Sequence, residues 1–129
     1  MARPKKNIVD YFPHDCNHSR TLYILEQKYG NDGYAFYFRL QELLGLTDGH
    51  SYDCSKKAAW RYLLTKTNVE EKLAKNIIGI LVELGEIDVR LWREHKRIWW
   101  QSFVDLLEDV YSRRKNEIPT IDNYKSPRG

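Results

Sequence analysis

The residues best suited to chemistry in this sequence are cations spaced to neutralise phosphate. Lys56, Lys57, Arg61, Lys66, Lys72 and Lys75 fall within residues 54–76, against only Glu70 and Glu71; Asn76 follows, and Lys96 and Arg97 come later. Lysine and arginine neutralise phosphate oxygens, and asparagine can pair with the edge of adenine. The formal charge is only +3, so total charge does not announce a nucleic-acid partner. Its distribution says more. Residues 1–7 and 113–129 are basic and the body between them is net acidic, so residues 54–76 form a basic island that concentrates attraction for phosphate on one face. An ordinary solvated helix surface would look the same, and Glu70, Glu71 and Glu83 would confine any phosphate contact to the middle of their helix.

Other chemistry finds less support. His14, Cys16 and His18 alternate, with His50 and Cys54 downstream, but that spacing fits no common zinc module. No metal is expected. Cys16 lacks an oxyanion-hole or orienting motif, the carboxylates are dispersed, and no glycine-rich phosphate loop occurs, so neither a cofactor nor an enzyme is expected. Tyr34, Phe36, Tyr37 and Phe38 could stack bases, but they lack interleaved basic residues and read as core; Tyr23, Phe36 or Phe38 could alternatively form a dimer face. With 129 residues, 42% hydrophobic and 13% aromatic, one folded domain is expected. No apolar run approaches the roughly 18–20 residues of a membrane span, and no signal-peptide pattern follows the basic start. Two cysteines are too few for a disulfide scaffold, which fits a cytoplasmic protein with no membrane partner.

Helices must position the cations. Ser19 can cap a helix over 20–29 with Leu22, Leu25 and Tyr29 inward. The run 30–33 breaks it, and a second helix over about 34–46 is apolar on several sides. Ahead of both, residues 8–13 suggest an extended segment or edge strand ended by Pro13. Residues 50–54 suggest a short strand, then Ser55 as cap of a helix over about 56–65, with Ala59, Trp60, Leu63 and Leu64 inward. Asn68 with Glu71 suggests a capping box for the next helix, whose stripe is Val69, Leu73, Ile77, Ile80, Leu81 and Leu84, and which Gly85 stops. Its outward set is Glu70, Lys72, Lys75, Asn76, Gly79 and Glu83; Gly79 costs about 1 kcal/mol relative to alanine, which close approach of DNA or another helix would explain. Two short apolar runs, 86–89 and 98–100, flank a charged tip that can hold a helical turn at 90–96 with Leu91 and Trp92 as apolar anchors, and an antiparallel ladder is expected between residues near Ile87 and 98–100. Trp99 and Trp100 cannot both face inward on a strand, so one is expected to be exposed, or covered by the C-terminal helix or a partner. Phe103, Leu106, Leu107, Val110 and Tyr111 predict a last helix, with Arg113, Arg114 and Lys115 at its end.

Two tracts carry a resemblance: Tyr11-Phe12-Pro13-His14-Asp15, and the run from Lys28-Tyr29-Gly30 through Gly33-Tyr34 to Arg39-Leu40. They resemble the amino-terminal domain of phage replisome-organiser proteins, related in architecture to DnaD-like primosomal proteins. The resemblance covers roughly residues 8–115 and is specific in the first forty. It implies a winged-helix domain serving phage or prophage DNA replication, often followed by a linker and a second domain; the sequence is expected to be either a stand-alone protein or the amino-terminal piece of a longer one.

The resulting expectation is a mainly α fold with a small β-wing: a winged helix-turn-helix with additional amino- and carboxy-terminal helices over 8–115. A flexible basic arm (1–7) precedes it and a disordered tail or linker (116–129) follows. Duplex rather than single-stranded DNA is the expected partner, met by the helix at about 69–84 and the wing. Replisome proteins and a homo-oligomer are further expected partners. A protein-interaction or self-association module without DNA contact, and a transcriptional regulator, remain the alternatives.

Overall fold

The computed structural model describes residues 7–121. The fold is mainly helical, with one small antiparallel sheet. Helix α1 (Arg20–Tyr29) starts where Ser19 Oγ accepts from the Leu22 N–H at 3.1 Å. It ends at Gly30, whose φ of 62° and ψ of −141° suit only glycine, and α2 (Asn31–Gly45) starts at once. The break is therefore a single residue. Gly33 lies inside α2 for another reason: a Cβ there would collide with the Leu25 backbone carbonyl of α1. Phe36, Leu40 and Leu44 of α2 are fully buried, as expected for its multi-sided apolar pattern.

A 3₁₀ turn (Asp48–His50) leads to β1 (Tyr52–Asp53), α3 (Lys57–Thr67), α4 (Glu71–Glu83), α5 (Val89–His95), β2 (Arg97–Ile98), α6 (Gln101–Asp105) and α7 (Glu108–Arg114). The sheet pairs Tyr52 with Ile98 and Asp53 with Arg97. The ladder expected between 86–89 and 98–100 is thus replaced. Only the Asp88 N–H reaches across, to the Trp99 carbonyl at 2.9 Å, because Asp88 instead caps α5 by accepting from the Leu91 N–H. The strand expected within 50–54 is the true partner, and the helical turn expected at 90–96 is α5.

Several local expectations need correction. Asn68 is not the cap of α4 but the left-handed end of α3, at φ 57°, with its N–H donating to Leu64 and Thr65 carbonyls. Ser55 caps nothing; its N–H and O–H both donate to Asp53 Oδ1, and Lys56 stands at the N-cap of α3. Residues 8–13 form no strand. Val9 is instead a buried plug, its N–H donating to the Gly45 carbonyl at 2.8 Å. Trp99 and Trp100 are both buried, because the strand ends at Ile98 and the alternation that would separate them ends with it. The last helix is broken at Leu106 and Leu107 into α6 and α7. The basic arm falls on residues 1–6, outside the described residues, apart from Asn7. Within the segment read as a tail, Pro119 is buried and Ile118 and Ile121 pack on the core; residues 122–129 lie outside the described residues.

His50 joins the two ends of the core. Its Nδ1 donates to the Leu44 carbonyl at 2.8 Å, so neutral Nε2 accepts from the Tyr111 hydroxyl at 2.5 Å. Burial pushes the imidazole below its ordinary value of 6.5; Leu44 and Asp48 oppose this, and Arg114 adds to it. The unfolded chain therefore takes up this proton first. The stability linked to His50 is present above about pH 6.5 and is lost as pH falls below it. Chemical denaturation between pH 7 and 5 should show stability falling with pH. His50→Asn, which tolerates the φ of 62° at this position, should be less stable at pH 7 by about 1–3 kcal/mol and show a flatter profile. Equal slopes in the two proteins would exclude His50 as the linked group.

Candidate nucleic-acid interface

The cations sit mainly on α3, α4 and the end of α5. Lys56, Lys57 and Arg61 are exposed, with Leu63 and Thr67 on the buried side of α3. On α4, Ala74, Ile77, Ile78 and Leu81 are buried, each large one worth about 1.5–3 kcal/mol of burial. The expected stripe is therefore rotated slightly: Val69, Leu73 and Ile80 are only half-buried, and Leu84 is exposed. The outward set fares better. Glu70, Lys72, Lys75, Asn76, Gly79 and Glu83 are all exposed, and nothing lies within 4 Å of a Cβ built on Gly79.

Two candidate cations are diverted into the fold. Lys66 Nζ lies 2.9 Å from Glu42 Oε1 on α2. Arg97 donates to the Ser51 carbonyl and hydroxyl at 3.2 Å and stands 3.8 Å from Asp53 Oδ2, so it braces the β1–β2 ladder. Burial disfavours the Asp53 carboxylate. Even so, Ser55's hydrogen bonds and the charges of Arg97 and Lys56 hold its carboxyl below the ordinary value.

Four of the remaining cations, Lys57, Arg61, Lys75 and Lys96, line two grooves that share Trp60. An open cleft of about 570 Å³ is lined by Trp60 of α3, Glu71 and Lys75 of α4, and Trp92 and Lys96 at α5. The Trp60 indole N–H donates to Glu71 Oε2 at 2.6 Å, and Lys75 Nζ is 3.7 Å from the same oxygen. Lys96, left-handed at φ 53°, ends α5 and holds its ammonium 5.1 Å from the Trp92 ring centroid. A neighbouring groove, also lined by Trp60 and Glu71, carries Lys57 and Arg61. Sequence pattern alone marks Trp60 as inward, Trp92 as an apolar anchor, and Glu71 as a cap and a repeller of phosphate. The usable signal was Trp60 itself, set between Lys57 and Arg61 in the basic–aromatic interleaving that 34–38 lacks.

The amino-terminal histidines do something else. His14 stacks on Phe38 at 3.7 Å between centroids, and His18 meets Tyr34 edge-on. Among the described residues no group of three or more His, Cys, Asp or Glu comes together as a metal site. No helix among them is long and apolar enough to cross a membrane.

With this geometry in view, a family model described as Lin1244/Lin1753-like, N-terminal, matches residues 11–104, and the chain belongs to that family of phage-like proteins. No curated protein and no solved structure gives a significant match.

Cys54 also lines the cleft. Burial, reinforced by the Asp53 charge, pushes its thiol up to about 12, whereas Cys16 is exposed. Because the thiolate is the reactive form, iodoacetamide at pH 8 should label Cys16 and leave Cys54 largely unmodified until the protein is unfolded. Peptide mass spectrometry reads both sites, and equal labelling in the native state would contradict the shielded thiol.

Proposed function

We propose that this domain is a winged-helix module that binds duplex DNA in phage or prophage replication initiation, acting by binding and not by catalysis. The observation that carries the reading is the outward face of α4, where Lys72, Lys75, Asn76 and Gly79 are all exposed; Lys56, Lys57 and Arg61 at the preceding helix are exposed as well, and Trp60 of that helix bonds Glu71 of α4. The element order supports it. A strand precedes the helix pair α3–α4, and its antiparallel partner follows, with α5 in the place of a wing tip. Lys96 then supplies a second phosphate contact at that tip. Gly79 adds an independent argument: no neighbour in the fold accounts for a glycine there, whereas close approach of a partner backbone does. The phage setting is supported by the family and by the replisome-organiser resemblance of the first forty residues.

A protein-interaction module is the second reading, favoured by the exposed Leu84 and Val89 at the end of α4 and the start of α5. Duplex titrations across a salt series separate the two. Reversing both charges with Lys72→Glu and Lys75→Glu should leave the circular dichroism unchanged and weaken binding strongly. The slope of log affinity against log salt should become shallower by about 2, as roughly 0.9 counterions per lost phosphate contact are no longer released. A double variant that binds like the wild type removes α4 from the contact surface. Absence of duplex binding by the wild type at low salt favours the protein-interaction module.

Gly79→Ala gives a complementary test. Relieving the helix of an exposed internal glycine should raise stability by up to about 1 kcal/mol, while the added methyl weakens duplex binding. A variant that gains stability and binds DNA as before would show that Gly79 makes no close approach to the partner.

A further inference from the structure

We propose that the cleft between Trp60 and Trp92 is a site for one unpaired nucleobase, through which the domain takes hold of single-stranded DNA. The inference rests on the nucleic-acid reading of this face and adds a second substrate form to it.

The cleft's volume of about 570 Å³ lies within the roughly 300–1,000 Å³ of small-molecule sites. Two indoles line it, both half-buried, so each keeps part of its surface open to a guest. Indole faces attract bases of any sequence, because every base has a π-face to stack. Neither ring is loose. Trp60 is fixed through its N–H to Glu71, and Trp92 is covered at 5.1 Å by the Lys96 ammonium. Lys75 and Lys96 stand in the same cleft, which supplies the cations that a single-strand platform needs beside its aromatics.

Glu71 decides which part of a nucleotide goes inside. A carboxylate in the cleft repels phosphate, so an anion would not settle there. The same carboxylate accepts hydrogen bonds from the ring and exocyclic N–H groups of a base. The base therefore enters between the indoles, and its flanking phosphates pair with the ammonium groups of Lys75 and Lys96 that line the same cleft. In an intact duplex the bases are stacked and paired, so only a single strand or a frayed end can deliver one.

The test uses the full chain at low salt and three probes: a single-stranded oligothymidylate of about eight nucleotides, an abasic strand of equal length, and a duplex. Anisotropy gives affinity and intrinsic tryptophan fluorescence reports the cleft. The oligothymidylate should bind, quench the fluorescence, and exceed the abasic strand in affinity by about tenfold, the size of one base–aromatic stack. Trp92→Ala should remove that advantage, so that the base-bearing and abasic strands bind alike. The abasic comparison needs no variant, so it holds even if Trp92→Ala folds poorly. Equal affinities for the base-bearing and abasic strands overturn the inference, as does a folded Trp92→Ala that keeps the wild-type preference. Duplex binding without any single-strand binding or quenching overturns the cleft assignment and leaves the duplex reading standing. Single-strand binding with the base preference but no duplex binding does the reverse.

Discussion

Helix α2 ends inside the protein, and its last carbonyls need donors that water cannot supply. A buried carbonyl left unpaired costs about 1–3 kcal/mol, so the C-terminus of this helix is where the rest of the chain must converge. The donors come from separate segments. Thr47 Oγ1 donates to the Leu43 carbonyl at 2.7 Å, His50 Nδ1 to Leu44 at 2.8 Å, and the Val9 N–H to Gly45 at 2.8 Å. Each of the latter two then holds the carboxy-terminal region. His50 accepts from Tyr111 of α7, and Arg114 of α7 donates to the Ile8 carbonyl beside Val9 at 2.6 Å. The polar termination of one helix thus brings both ends of the described chain together.

Helices α3 and α4 each bury one side, Leu63 and Thr67 on α3 and Ala74, Ile77, Ile78 and Leu81 on α4, so the charges on their other sides face outward. The Glu42–Lys66 pair ties the end of α3 to α2 and withdraws one lysine from the outward face. Gly85, at φ 80°, turns the chain after α4, and Asp88 starts α5 immediately. This short return brings Trp92 and Lys96 beside Trp60. The two-residue ladder of β1 and β2, braced by Arg97, then fixes the far end of α5, with the Cys54 N–H donating to the Lys96 carbonyl at 2.8 Å. The cleft is a product of these constraints and not of any one local motif.

Much of this was legible where periodicity and local caps act alone. Ser19, the multi-sided α2, the exposed set of α4 and the Gly85 stop all follow from residue type and spacing. The sequence misled where one residue type serves two purposes. Asparagine is favoured both as an N-cap and in a left-handed helix end, so Asn68 with Glu71 reads as a capping box although tertiary packing makes Asn68 the end of α3. Strand register failed for a different reason. Tyr52 and Ile98 pair across 45 intervening residues with only two rungs, too short a ladder to impress a pattern on either segment. Lys66 and Arg97 looked like the other cations because an ion pair with a distant carboxylate leaves no trace in sequence. Trp60 and Trp92 were invisible as a pair for the same reason.

Magnitudes decide which cations a phosphate could recruit. Lys75 and Glu71 form an exposed pair at 3.7 Å, with side chains 62% and 55% accessible; such a pair is worth only about 0.3–0.5 kcal/mol. A charge-assisted hydrogen bond to phosphate exceeds that, so Lys75 can turn outward with little loss. Glu71 would keep the Trp60 indole N–H as its partner. Arg97 differs, since leaving its site would release Ser51 and Asp53 together in a region where its own side chain is only 20% accessible. Lys66 is similarly held, at 2.9 Å and 28% accessible. The recruitable set therefore contracts to Lys56, Lys57, Arg61, Lys72, Lys75 and Lys96, and these are the residues on or beside the two Trp60 grooves and the outer face of α4. Setting the two bracing cations aside leaves a set in which Lys57, Arg61, Lys75 and Lys96 line grooves that share Trp60, so the recruitable charge is concentrated where the aromatic surface is open.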